Sequence, residues 1–343
     1  GDTVHWTLSG EVSDYFSIDD AKVTDALSDG QSFVAASPVL TVNEGGVPVY
    51  TGAFDAANIT ATVNADGTTS LEFRVADELA LRGLDPTLTG GRDGVTAGAT
   101  TFAIAFDSHV NRFYADGAPL LQGDSISNQG SVGGLVAGSG AALSDGDSDT
   151  LTLARGEDLE KSVYLVNGAD PATAVPVVTA GDTITFRLQY ELPTGSANSF
   201  TLTDFLPLPV LLASGSSGPL TFQDIRNDGS DPATLPAVGT AWWHPDETFD
   251  LNNPTGYAGT PSITVNAAAN SITFDFGSFH MDTPQPLKVD ILFRLQLEDQ
   301  PFGDRLMLTN QVTSHEENTA GSVVSDNALA QIELSEPHLS LTK

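Results

Sequence analysis

Apolar residues alternate with polar ones along most of this chain, and that period of two limits what it can fold into. Val4, Trp6 and Leu8 form one such set, Ile184, Phe186 and Leu188 a second, Ile272, Phe274 and Phe276 a third, and Val289, Ile291 and Phe293 a fourth. Side chains two residues apart share one face of a strand, so these runs read as half-buried β-strands. The 33 glycines and 19 prolines interrupt the runs at short intervals. Asn64-Ala65-Asp66-Gly67 and Asn227-Asp228-Gly229 have the composition of turns. Helix-like segments are short, as at Ala76 to Arg82. The expected fold is all-β, built from β-sandwiches.

A long internal repeat divides the chain. Gly1-Asp2-Thr3 opens a strand pattern and recurs at Gly181-Asp182-Thr183, 180 positions later. Val23-Thr24-Asp25 matches Leu202-Thr203-Asp204 at a spacing of 179. The segment from Gly123 to Gln129, with Asn128, resembles Gly303 to Gln311, with Asn310, at a spacing of 182. Leu159-Glu160-Lys161 matches Leu341-Thr342-Lys343, again at 182. Four anchors at nearly constant spacing define a repeat one domain long. The expected division is a first sandwich at 1–150 without its Lys-bearing strand, a complete sandwich at 155–335, and the Lys strand of a following repeat, or a donor strand for the next subunit, at 337–343.

The anchors are polar residues in apolar phase. Lys161 alternates with Leu159 and Val163, and Lys343 with Leu339 and Leu341. Asp204 falls among Phe200, Leu202 and Leu206, and Asp25 between Val23 and Leu27. Asn310 lies between Leu308 and Val312, and Asn128 follows Ile126. A buried, unpaired lysine is expensive and rare, yet two of the chain's four lysines occupy this one repeated position. One chemistry accounts for the set. Burial lowers the pKa of an amine and raises that of a carboxyl, so a neutral amine can attack the Asn carbonyl while a protonated Asp shuttles protons. The product is a Lys–Asn isopeptide bond, a covalent clamp in a chain with no cysteine. A buried Lys–Asp ion pair with Asn as a hydrogen-bonding neighbour fits the same pattern, as does Asp204 capping the turn before Pro207.

The pattern GDT…TD(F)LP…TN…(L)xK resembles the isopeptide-forming, immunoglobulin-like repeat domains of bacterial surface proteins, adhesins and pilins. The resemblance spans both repeats and is best over Pro176 to Lys343. It implies tandem immunoglobulin-like β-sandwich domains in an elongated chain, on the extracellular face of a bacterium. It also implies Lys161, Asp204 and Asn310 as the cross-linking set of the second domain, with Asp204 as proton shuttle. In the first domain it implies Asp25 as shuttle and Asn128 as acceptor, although Ala26-Leu27-Ser28 departs from the Leu-Pro pattern that follows Asp204. Lys343 entering the first domain of a neighbouring copy to bond Asn128 would assemble the protein head to tail. The expected function is a structural module of a surface fibre, stalk or surface layer, without enzymatic turnover.

Charge narrows the partners. With 45 acidic against 13 basic residues the net charge is -32, which repels nucleic acid and anionic lipid. No stretch has the length of an apolar membrane span. No cofactor is required, but Asp145, Asp147 and Asp149 alternate in what reads as an acidic loop and form a candidate Ca²⁺ site. Asn227, Asp228 and Asp231 form a weaker one. Trp242 and Trp243, in a stretch without counterpart in the first repeat, could stack on sugar rings and make this a glycan- or host-binding adhesin; paired Trp residues also plug sandwich cores. The histidines show no zinc spacing, and no phosphate loop or nucleophile elbow is present.

Overall fold

The computed structural model describes all residues except 1, 13–14, 92–98, 154–158, 193, 216–219, 225–234, 245–253, 256–258, 282–285, 301 and 337–343. The turn expected at Asn227-Asp228-Gly229 and the weaker cation candidate beside it lie outside the described residues. The chain divides into two compact units, one of Gly1–Leu120 with Ser125–Leu153, the other of Leu121–Asp124 with Ala154–Lys343.

Unit 1 is a sandwich of two antiparallel sheets. Its strands are β1 (Thr3–Glu11), β2 (Ile18–Leu27), β3 (Gln31–Phe33), β4 (Val39–Glu44), β5 (Val47–Ala53), β6 (Ile59–Val63), β7 (Thr69–Arg74), β8 (Thr100–Val110), β9 (Ser125–Val136) and β10 (Ala142–Thr152). One sheet runs β1-β8-β4-β5, with β3 also on β8; the other runs β10-β9-β2-β7-β6. β2 shows why the alternation forms strands: Ala21, Val23, Asp25 and Leu27 face the interior while Asp20, Lys22, Thr24 and Ala26 face out. Leu27, Phe73, Phe106 and Ile104 pack where the two sheets meet. The tight turn at Asn64–Gly67 leads into β7. Gly67 takes φ +82°, a left-handed conformation that suits glycine, and the Asp66 carboxylate accepts the Thr68 N–H at 3.1 Å. The helix-like segment is a short α-helix, α1 (Val75–Leu81), seated by Val75 and Leu79 on the core.

Unit 2 follows the same plan with thirteen described strands against ten. Its strands are β11 (Glu160–Val166), β12 (Val177–Val178), β13 (Thr183–Leu192), β14 (Ala197–Phe205), β15 (Thr221–Gln223), β16 (Thr240–Trp243), β17 (Pro254–Thr255), β18 (Ser262–Asn266), β19 (Ser271–Met281), β20 (Leu287–Gln296), β21 (Met307–Glu317), β22 (Val323–Val324) and β23 (Asn327–Leu334). One sheet runs β11-β13-β20-β16-β15. The other runs β12-β23-β21-β14-β19-β17, with β18 on β19 and β22 on β21. Phe186, Phe200, Phe274 and Phe293 are fully buried between the sheets, and Phe186 stacks on Phe293 at 5.3 Å between ring centroids.

The two plans correspond in the order of their inner strands, although β15 runs parallel to β16 where β5 runs antiparallel to β4. β1 pairs with β8 as β13 pairs with β20: Leu8 lies opposite Ile104, and Leu188 opposite Ile291. In unit 2 the far edge of β13 carries β11. Among the described residues no strand pairs with the far edge of β1.

Two sequence expectations change here. Asp145, Asp147 and Asp149 do not form a loop. They lie on β10, paired antiparallel with Val132, Gly130 and Asn128 of β9. Continuous pairing with β9 overrides the poor strand propensity of Asp, Gly and Ser. Residues two apart on a strand are separated by roughly 6.5–7 Å, so the carboxylates do not converge on one cation. Each accepts the backbone N–H of the residue that follows it, at 2.8–2.9 Å, and among the described residues no group of three potential ligands is poised for a metal. The second change concerns the paired tryptophans. Trp242 and Trp243 are 3% and 1% exposed. They lie on β16, in the middle of a sheet, and Trp243 packs edge-on against Phe222 at 5.1 Å. Neither ring offers a free face to a sugar.

Candidate functional site

The site of unit 2 is assembled from both sheets. β11 places Lys161 opposite Leu188, at the edge of one sheet, with its side chain turned inward. β14 places Asp204 opposite Val312 of β21 in the other sheet. Asn310 stands two residues before Val312, so it faces the same interior diagonally from Asp204. The Lys161 and Asp204 side chains have no exposed surface, and Asn310 is 1% exposed. The sequence phase of all three residues, each flanked by apolar neighbours two positions away, is therefore realised as burial.

The ammonium or amine of Lys161 contacts the Asp204 carboxyl. The Nζ atom lies 5.2 Å from the ring centre of Phe186 and 5.7 Å from that of Phe293. Burial in this aromatic box lowers the Lys161 pKa to about 8, against the opposing pull of Asp204. Burial also raises the Asp204 pKa, opposed by Lys161 and by the Asn310 carboxamide beside it. Both shifts favour the neutral pair, amine plus carboxylic acid. One Asp204 oxygen and both polar atoms of the Asn310 side chain make no hydrogen bond of good geometry. Buried polar groups without partners are costly and uncommon. Three such atoms lie in the buried cluster that holds the Lys161 amine.

Unit 1 holds the same acid and amide. Asp25 of β2 lies opposite Gly130 of β9, and Asn128 stands two residues before Gly130. This reproduces the Asp204, Val312 and Asn310 register. Each is 3% exposed, and neither side chain makes a hydrogen bond of good geometry. Burial raises the Asp25 pKa to about 7, only partly offset by the neighbouring Asn128. No lysine of the described residues joins them: Lys22, also on β2, faces outward near Glu72 at 3.9 Å. Lys343, expected as their partner, lies outside the described residues.

Two buried polar clusters went unread in the sequence. Asp290, on β20, is fully buried on the side of the sheet opposite Val289 and Ile291. It accepts from Arg187 Nε at 2.9 Å and Nη2 at 2.6 Å, and His244 lies against Arg187 at 3.1 Å. Glu78, on α1, accepts from Arg82 at 2.7 and 2.9 Å, from Asn58 at 2.8 Å and from the Asp55 N–H at 3.0 Å. Every oxygen in that second cluster is satisfied, which marks it as structural. The Glu78–Arg82 spacing of four on a helix was the one local signal; the partners of Asp290 are far apart in sequence.

No family model matches the chain, and no curated protein matches it. Solved structures similar to it include the C-terminal domain of the Streptococcus agalactiae AgI/II polypeptide BspA, at 10% identity, covering 97% of this chain and 93% of that one, with a TM-score of 0.34. The C-terminal domain of the Streptococcus pyogenes antigen I/II-family protein AspA is similar at 13% identity, over 97% and 92%, with a TM-score of 0.34. BcpA, the major pilin subunit of Bacillus cereus, is similar at 7% identity, over 90% and 69%, with a TM-score of 0.30. At such identities and scores the likeness identifies no family.

Proposed function

We propose that the chain is a structural module of an extracellular bacterial surface fibre, stalk or surface layer, and that unit 2 closes itself with an amide bond between Lys161 and Asn310. The observation that carries this reading is the dry meeting of Lys161, Asp204 and Asn310 between two sheets. The neutral Lys161 amine attacks Cγ of Asn310 while the Asp204 acid polarises the carbonyl oxygen. Asp204 then moves a proton from the incoming nitrogen to the departing one. The Nζ–Cγ bond forms, the Cγ–Nδ2 bond breaks, and ammonia leaves; no oxidant or metal is needed. Asp204 is regenerated, but the bond forms once, so the module has no turnover.

The bond would join an edge strand of one sheet to an inner strand of the other. A force pulling the two sheets apart would act on a covalent bond rather than on hydrogen bonds. The chain has no cysteine with which to build a disulfide in that position, and the resemblance to surface repeat domains noted in the sequence supports an extracellular setting for such a clamp. Intact mass of the purified chain tests the reading. The expected mass is one ammonia below that calculated from the sequence, with a digest fragment joining Lys161 to Asn310. A mass equal to the calculated value in well-folded protein refutes it.

A further inference from the structure

One long edge strand of unit 1 lacks the features that keep sheet edges apart. An edge strand offers a row of unpaired backbone N–H and C=O groups, and folded proteins blunt such edges with charges, prolines or bulges. β10 bears Asp145, Asp147 and Asp149. β5 contains Pro48, beside a register break at Val42/Asn43 of β4. β1 carries His5 and Glu11. β6, the outer strand of the β10-β9-β2-β7-β6 sheet, has none of these. It reads Ile59-Thr60-Ala61-Thr62-Val63, uncharged in a chain of net charge -32, and keeps a continuous register on β7.

That sequence is also its own complement. Laid antiparallel on a second copy about Ala61, it sets Ile59 opposite Val63, Thr60 opposite Thr62 and Ala61 opposite Ala61. β-branched and Thr–Thr pairs are favourable across antiparallel strands. The backbone is in phase with the same axis. In the turn between β6 and β7 the Asn64 N–H donates to the Thr68 carbonyl at 2.8 Å. By alternation Thr62 and Thr60 direct their backbone groups to β7, while Ile59, Ala61 and Val63 turn theirs to the open side. The Ile59 N–H is already given to the Ala56 carbonyl. The axis then joins each Ala61 N–H to the other Ala61 carbonyl and each Val63 N–H to the other Ile59 carbonyl, so neither donor is left over.

The side chains agree. Ile59, Ala61 and Val63 lie opposite Phe73, Leu71 and Thr69, the buried residues of β7. Val63 is nevertheless 76% exposed, an apolar side chain beyond the rim of the core that a second Ile59 would cover. On the outer side Arg74 donates to Thr60 Oγ1 at 3.1 Å and to the Ala57 carbonyl. The antiparallel register carries this end of β6 to the Asn64–Gly67 turn of the second copy, where Asp66 supplies the opposite charge.

We infer that β6 is a self-pairing edge: two copies of the chain associate side by side by antiparallel addition of β6 to β6 about Ala61, which joins their five-stranded sheets into one. The contact is isologous and closes at two copies. It is short, so the association is weak and forms where copies are crowded, as neighbours on one surface are. It belongs to unit 1 and is independent of the Lys161–Asn310 bond.

Sedimentation equilibrium of the chain over a rising concentration series tests this. The weight-average mass should climb toward twice that of one chain. Ala61→Asp and Ala61→Lys, at an exposed position, each set like charges face to face across the axis. Each should stay monomeric at a concentration where half of the wild-type chain is paired, with an unchanged melting point. An equimolar mixture of the two should pair again, because unlike charges then meet. Disulfide trapping reads the register in a chain with no native cysteine. Thr60→Cys mixed with Thr62→Cys, one of them grown on heavy nitrogen, should cross-link between variants on oxidation, since such a pair holds its Cα atoms about 4.5 Å apart. Wild type that stays monomeric throughout overturns the inference, as does a dimer that both charged variants leave intact. Monomeric wild type that takes up an unrelated extended peptide at β6 overturns the second copy as occupant. Failure of the charged mixture to pair, or cross-linking of each cysteine variant only with itself, overturns the axis at Ala61.

Discussion

Replacing Lys161 and Asp204 together with apolar residues separates a covalent bond from a buried ion pair, because the two readings predict opposite signs. A buried pair has to overcome the desolvation of both charges, so exchanging it for well-packed apolar side chains is neutral or stabilising by about 1–4 kcal/mol. Lys161→Met with Asp204→Val is such an exchange in a box already lined by Phe186 and Phe293. A Lys161–Asn310 bond, in contrast, closes a loop of roughly 150 residues and restricts the unfolded chain by about 5 kcal/mol. For a unit of this size each kcal/mol moves the midpoint by about 2–4 °C, so the double variant should melt roughly 10–20 °C lower. Calorimetry of both proteins reads the shift in the transition assigned to unit 2. Denaturant unfolding gives a second reading: the freed chain exposes more surface, and its m-value should rise. An unchanged or higher melting point in the double variant, with m unaltered, refutes the bond and leaves the ion pair.

Other outcomes follow from the same geometry. The Asp25 pKa lies above its unfolded value, so folded unit 1 holds a proton that the unfolded chain releases between pH 4 and 7. Stability from this group therefore falls as pH rises through that window, by roughly 1.4 kcal/mol per unit; Asp25→Asn should gain on wild type steadily from pH 4 to 7.5, as read by thermal melts across that range. Glu78→Ala removes the fully buried acceptor of the Asp55 N–H and the Asn58 amide and should cost unit 1 about 1–3 kcal/mol, measured by urea unfolding. Trp243→Ala should cost unit 2 about 3–5 kcal/mol, and sugars should not protect the wild-type indole from fluorescence quenching, since the ring is buried.

The parts of the fold legible in sequence are those whose signal is local. Alternation in Ile184, Phe186 and Leu188 requires only a strand, and β13 buries all three. Lys161, Asp204 and Asn310 were legible for the same reason: each sits in phase with apolar neighbours, so its inward direction follows from the neighbours rather than from its own chemistry. β10 was not legible. Asp145-Gly146-Asp147-Ser148-Asp149 has the composition of a loop, and pairing with β9, not its own propensity, makes it a strand. The tryptophan pair was ambiguous because an indole suits a core and a sugar site equally well, and only the strands flanking β16 decide between them. Asp290 was illegible because Arg187 and His244 reach it from other strands.

The difference between the units bears on why unit 1 keeps its polar interior. In unit 2 the Lys161 contact offsets part of the burial of Asp204. In unit 1 the neighbouring Asn128 offsets the burial of Asp25 only in part, and the Asp25 pKa is raised to about 7. An unsatisfied buried polar group costs about 1–3 kcal/mol, so a Leu at either position would make a more stable isolated unit. Sites that break a local rule without compensation inside the fold are where function is expected. Asp25 and Asn128 are such positions in unit 1, where no described strand pairs with the far edge of β1.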